Sequence, residues 1–128
     1  MVNSNELDIN IPFLKSKMEL DECNSENILL IFTASWCGPC QKISPKLVEL
    51  FLNKNYEHIK FYKVDVDECE ELCDEYDIKC MPSFIFLKGK KSVYTHTGNN
   101  VNLLESKILN IFCNIEKSDE IDLVVDST

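Results

Sequence analysis

The chain is short of positive charge. Thirteen Lys and Arg residues face 22 Asp and Glu, which leaves a net charge of −9 at pH 7. Nucleic acid needs a basic face to neutralise its phosphates, and an anionic membrane surface needs the same. The charge therefore argues against both as partners and leaves basic protein patches open. Long apolar runs are lacking too. None approaches the ~20 residues that span a bilayer. The longest, ILLIF at 28–32, has the length of a buried strand. The N-terminal stretch has no basic segment followed by an apolar run, so a secretory leader is not expected. There is no internal repeat, no low-complexity tract and no linker that would divide the chain. With 128 residues, 45% of them hydrophobic, one domain with one sizeable core is expected, in a soluble intracellular protein.

Cysteine is present in quantity, at 23, 37, 40, 69, 73, 80 and 113. The odd number leaves at least one thiol unpaired if the others pair within the chain. A reducing compartment does not sustain a disulfide framework, so these cysteines read as catalytic, metal-binding or small core residues. One spacing stands out: SWCGPCQ at 35–41, where Cys37 and Cys40 enclose Gly38 and Pro39. A metal half-site, a structural staple and a redox centre can all be written C-x-x-C.

Its place in the chain narrows the choice. The run at 28–32 is apolar on both faces, as in a central parallel strand covered by helices. The motif follows and opens a helix with Ile43, Leu47, Leu50 and Phe51 on one face, with Pro45 inside it as a kink. A strand is expected over 59–66. Asp67 and Glu70 have capping-box spacing for a helix whose stripe is Cys69, Leu72, Cys73 and Tyr76. Residues 84–87 and 93–97 read as a hairpin, and Val101, Leu104, Ile108, Ile111 and Ile115 as a last helix. Near the start, Leu7 and Ile9 suggest a short strand, and Pro12 a helix with Ile11, Leu14 and Met18 on its face. After Ile115 come five acids and one lysine. The expected division is a domain over 1–116 and an acidic tail over 117–128. The order of elements implies an α/β fold, a central mixed sheet with helices on both faces and the 28–32 strand in the middle.

A cysteine at a strand-to-helix junction sits where free backbone N–H groups and the helix dipole favour a thiolate. Cys37, before the helix, is expected to be exposed, and Cys40, one turn in, covered. Cys37 can attack a disulfide, and Cys40 can reach back to resolve the mixed disulfide. Lowering a thiol pKa from ~8.5 to ~7 raises its thiolate fraction at pH 7 about 15-fold. It also costs about 4- to 6-fold in nucleophilicity, for a net gain of roughly 3-fold. Positioning of the second thiol must supply the rest.

The motif ASWCGPCQ at 34–41 resembles the active-site segment of thioredoxins. The resemblance continues through VDVD at 64–67, KCMPSF at 79–84, Gly89 and Gly98, over roughly residues 5–115. It implies a thioredoxin-like fold and a reductase of protein disulfides. Pro82 is then cis and faces the dithiol, and Trp36, Met81, Pro82 and Gly98 form a substrate groove around Cys37. The chain itself would bind no cofactor. Electrons would come from NADPH through a separate thioredoxin reductase, and the clients would be disulfide-containing proteins such as peroxiredoxins, in the cytoplasm. One position departs from the family. Thioredoxins carry a buried aspartate six residues before the first active-site cysteine, and here that residue is Ile31. Lys63 matches the lysine that often accompanies the aspartate. Loss of the carboxylate is expected to stabilise the fold and to slow release of the mixed disulfide. It also leaves room for a slow binding or assembly module, and more remotely for an isomerase or oxidant.

The remaining candidates have plainer readings. A zinc site would need a second cysteine pair, and Cys69 and Cys73 lie instead on an apolar helical stripe as small core residues. Metal ligation is not expected. Cys80, two residues before Pro82, is a candidate regulatory thiol at the groove rim and a route to a dimer of an otherwise monomeric chain. Cys23 and Cys113 read as incidental. His58 and His96 read as solvated surface histidines, and the acids of 68–77 as a solvated helix face.

Overall fold

The computed structural model describes residues 10–115. The expectations for Leu7, Ile9 and the 117–128 tail lie outside the described residues. Strands β1 (Asn27–Thr33), β2 (Lys60–Asp65), β3 (Ser83–Lys88) and β4 (Lys91–Thr97) form one sheet in the order β2-β1-β3-β4. β1 runs parallel to β2 and antiparallel to β3, and β3 pairs antiparallel with β4. The helices are α1 (Lys17–Glu22), α2 (Gly38–Leu52), α3 (Glu70–Glu75) and α4 (Val101–Cys113).

Strand alternation divides the core. Leu29 and Ile31 of β1 join Ile43, Leu47 and Leu50 of α2 and Leu104, Ile108 and Phe112 of α4. Ile28, Leu30 and Phe32 join Leu20 of α1, Val64 of β2 and Leu72 of α3. β1 is thus covered on both faces, which is why its sequence shows no alternation of polar and apolar residues. This is the mixed sheet flanked by helices that the sequence implies. The β3–β4 turn has positive φ at Gly89 (58°) and Lys90 (72°). Left-handed lysine is disfavoured; here Gly89 N–H donates to the Glu26 carbonyl (2.8 Å) and Lys90 Nζ to that of Asp21 (2.7 Å).

Three local readings need correction. No helix starts at Pro12. The chain there is extended along the outer edge of β2: Lys63 N–H donates to the Pro12 carbonyl and Leu14 N–H to the Lys63 carbonyl, each at 2.8 Å. The edge of β2 needs partners for its backbone groups, and this demand overrides helical spacing. α1 starts only at Lys17, where Ser16 Oγ accepts the Glu19 N–H (3.2 Å), and Met18 is exposed. Asp67 and Glu70 do not form a capping box. Cys69 is the N-cap of α3, without a side-chain cap bond. The carboxylate of Asp67 is engaged elsewhere, by Trp36. Ile115 lies beyond the end of α4 and is exposed; Phe112 takes the inward position, one turn past Ile108.

Candidate active site

The site forms where β1 hands over to α2. After Thr33 the chain turns through buried Ala34, and Cys37 becomes the N-cap of α2. Its Sγ accepts the Cys40 N–H (3.2 Å), so the cysteine itself satisfies one of the free donors at the helix start. Pro39 lies in the first turn, where its missing N–H costs nothing. Gln41 closes the turn: its N–H donates to the Cys37 carbonyl (3.1 Å), and its Nε2 donates to the Ser35 carbonyl (3.2 Å). Pro45 remains inside the helix and removes one backbone donor from it.

Cys37 and Cys40 are joined as a disulfide, with Cα atoms 5.3 Å apart. Cys40 is covered, with 4% exposure. Cys37 was expected to be exposed and is only 6% exposed. The two cysteines pack with Ala34 against Met81 and Val66, which shields the first cysteine in the bonded state. Trp36 beside them is 65% exposed, and its indole N–H is held by Asp67 Oδ2 at 2.7 Å. A carboxylate acceptor makes this a strong bond, and it fixes an otherwise free aromatic face next to the disulfide. A carbon added at Gly38 would meet nothing within 4 Å, so the top of the motif is open to approach.

The other side of the site comes from the start of β3. The Met81–Pro82 peptide is cis. The Pro82 carbonyl accepts the Gly98 N–H (2.9 Å), and Gly98 has φ +97°, a conformation that suits glycine. The structure therefore brings Trp36, Gly38, Pro39, Met81 and, through Pro82, Gly98 to the dithiol. Cys80 is exposed nearby but lies outside the packed cluster; its carbonyl accepts the Ser83 hydroxyl (2.7 Å). Cys69 and Cys73 pack into the α3 face of the core, and burial pushes the Cys73 thiol up. Cys23, Cys69, Cys73, Cys80 and Cys113 are free thiols. Among the described residues, no group of three or more His, Cys, Asp and Glu is placed to hold a metal.

Behind the disulfide a cavity of about 200 Å³ is walled by Ile31, Cys40, Ser44, Lys63 and Asp65, with Phe13 at its edge. Ile31 is 1% exposed and pairs in register with Lys63 across the parallel strands. Burial lowers the Lys63 pKa, and its Nζ stands 5.6 Å from the Phe13 ring centroid.

The histidines divide. His58 is exposed, and its Nε2 lies 3.0 Å from the Phe112 carbonyl. His96, read as a surface residue, is buried at 4% exposure. β4 is an edge strand, but His96 pairs with Phe84 and shares its face, with the rings 5.5 Å apart. Burial lowers its pKa, assisted by Lys107. The sequence reading assigns Asp67 to a helix cap; its place beside the active site is as the acceptor for Trp36, and the VDVD segment at 64–67 is the signal that points there.

A dithiol pair at a helix N-terminus, bonded to each other and packed beneath an open aromatic rim, defines a thiol–disulfide oxidoreductase. The comparisons carry this further. The family model for thioredoxin matches residues 15–110, and the chain belongs to the thioredoxin family. It is 41% identical to a thioredoxin of Geodia cydonium over 101 residues, 74% of this chain and 93% of that one. A Plasmodium falciparum thioredoxin structure superposes with a TM-score of 0.74 at 35% identity, covering 79% of this chain and 99% of that one. Another structure comes from work on the thiol resolving mechanism of yeast mitochondrial 1-Cys peroxiredoxin via glutathione/thioredoxin systems. It matches with a TM-score of 0.73 at 28% identity, over 79% of this chain and 95% of that one. At the level of the family, the chain is a protein-disulfide reductase.

Proposed function

We propose that Cys37 is the nucleophile and Cys40 the resolving thiol in the reduction of client protein disulfides. The observation that carries this is the placing of the two sulfurs. Cys37 caps α2 with a backbone N–H aimed at its Sγ, beside the open side of the motif, while Cys40 lies beneath it within bonding reach. The Cys37 thiolate attacks one client sulfur, and the other leaves as a thiolate. The Cys40 thiolate then attacks Cys37 Sγ. The Cys37–Cys40 disulfide forms, and the second client thiol is released. The client gains two electrons and the dithiol loses them. An extended client segment lies between Trp36 and the Met81–Pro82 turn, with Gly98 alongside.

The dithiol is restored by two electrons from NADPH, delivered by a separate thioredoxin reductase. Disulfide-containing proteins such as peroxiredoxins are the clients, and the cytoplasm is the compartment. Cys80, exposed near the rim, is a site for oxidative modification or for covalent pairing of two chains. The reduction potential of the Cys37–Cys40 pair, equilibrated against glutathione buffers, tests the reading. A reductant requires a value below about −250 mV, and a value above roughly −200 mV would place the chain with oxidants and isomerases.

A further inference from the structure

Resolution by Cys40 requires a thiolate, and Cys40 is covered. Its proton therefore needs an acceptor inside the protein or a path through it. Position 31 supplies none, since isoleucine has no lone pair to offer. The cavity behind the disulfide touches both Cys40 and Ile31, and Asp65 and Lys63 are the charged side chains in its wall. The hydroxyl of Ser44 is no base at neutral pH. A protonated Lys63 attracts a thiolate but has no free lone pair. Asp65 does, and it is placed for the task. It pairs in register with Thr33, one inward position beyond the Ile31–Lys63 pair and toward the active-site end of β1. Its Oδ1 accepts the Asp67 N–H at 2.9 Å, which fixes the carboxylate's orientation. The cavity volume is several times the ~30 Å³ that one water occupies, and its wall is partly polar, so water can bridge the gap.

Building on the assignment of Cys37 and Cys40 above, we propose that Asp65 accepts the Cys40 proton through water in this cavity as the mixed disulfide is resolved. The Cys40 S–H bond breaks and the proton passes to the Asp65 carboxylate. The Cys40 sulfur bonds to Cys37 Sγ, and the client sulfur departs as a thiolate. Asp65 then returns the proton to the departing thiolate or to solvent. The carboxylate has in effect moved from the central strand to its neighbour, where partial exposure spares it the full cost of burial.

The test is stopped-flow reaction of the reduced protein with dithiobis(nitrobenzoate), in a background where the accessible free thiols Cys23, Cys73, Cys80 and Cys113 are changed to alanine so that only Cys37 and Cys40 report. Attack by Cys37 releases one thionitrobenzoate, and resolution by Cys40 releases the second. Asp65→Asn keeps an oxygen for the Asp67 N–H and so preserves the fold. It is expected to slow the second phase about tenfold at pH 7, below the usual 10²–10⁴-fold of general bases because a carboxylate is weakly basic toward a thiol. The second phase of the variant should also rise with pH from 6 to 8, where that of the parent is nearly flat. Asp65→Glu should recover most of the rate. A second phase with unchanged rate and pH profile overturns the proposal, as does equal slowing of both phases. The first phase separates the two readings: if it survives Cys37→Ser, the nucleophile assignment fails, whatever Asp65 does.

Discussion

Ile31→Asp restores the carboxylate that the family buries, and its cost to the fold can be worked from the site. Ile31 is 1% exposed, between α2 and the Lys63 position. Removing a fully buried isoleucine side chain forfeits about 1.5–3 kcal/mol of transfer free energy. A buried polar group without full partners costs about 1–3 kcal/mol more. The expected loss is therefore about 2.5–6 kcal/mol, a large share of the ~5–15 kcal/mol that stabilises a typical domain. Lys63, opposite in register, can offset part of it only by giving up its place at the Phe13 ring. The sign with pH follows from burial. A buried carboxyl held above its ordinary pKa of ~3.9 favours the neutral form, so the penalty grows as pH rises from 4 through the raised folded value. Urea unfolding at pH 5 and pH 8 measures both effects. A loss below about 1 kcal/mol, or one that shrinks toward pH 8, would refute the reasoning, because it would show that the cavity solvates or pairs the new charge without cost.

Other outcomes follow from the same structure. His96 titrates below its ordinary 6.5 because it is buried. The unfolded chain therefore binds the proton more readily, and this contribution to stability is complete above pH 6.5 and is lost as pH falls from there to the lowered folded value. His96→Phe should flatten the melting temperature between pH 5 and 7, whereas an unchanged slope would mean that other groups dominate. Gly98→Ala places a side chain at φ +97°, and urea unfolding should show a loss of more than ~1 kcal/mol. With the Cys37–Cys40 disulfide intact, iodoacetamide should label exposed Cys80 well before buried Cys69, as read by mass spectrometry of peptides. Trp36→Phe removes the bond to Asp67 Oδ2; it should raise the client KM severalfold and leave the melting temperature nearly unchanged.

What the sequence shows of this fold depends on whether the deciding contact is local. The 28–32 run and the helix after Cys37 were readable because burial on two faces and a 3.6-residue stripe are written in neighbouring positions. The extended course of residues 11–14 was not, because its cause is the open edge of β2, some fifty residues away in sequence. The failed capping box has a similar origin: Asp67 is the right residue at the right spacing, but Trp36 claims its carboxylate across the site. His96 was misjudged because a polar residue on an edge strand reads as solvated. Only the pairing with Phe84, set by a register shift near Phe86 and Leu87, shows which way it faces.

The same distinction bears on the chemistry. The two cysteines, their order and the Pro82 turn lie in short segments, and sequence alone located them. Position 31 was legible as a departure from the family, but not what stands in its place. Along the chain Asp65 is one acid among many. In the sheet, the parallel register sets Lys63 beside Ile31 and Asp65 beside Thr33, so both charges line the space that reaches Cys40. A one-residue slip of β2 would turn both side chains to the opposite face, among Leu30, Phe32 and Leu72. The apolar residues Phe61 and Val64 hold that register, each committed to a different face of the core. The packing that stabilises β2 thus also fixes where a proton acceptor can stand.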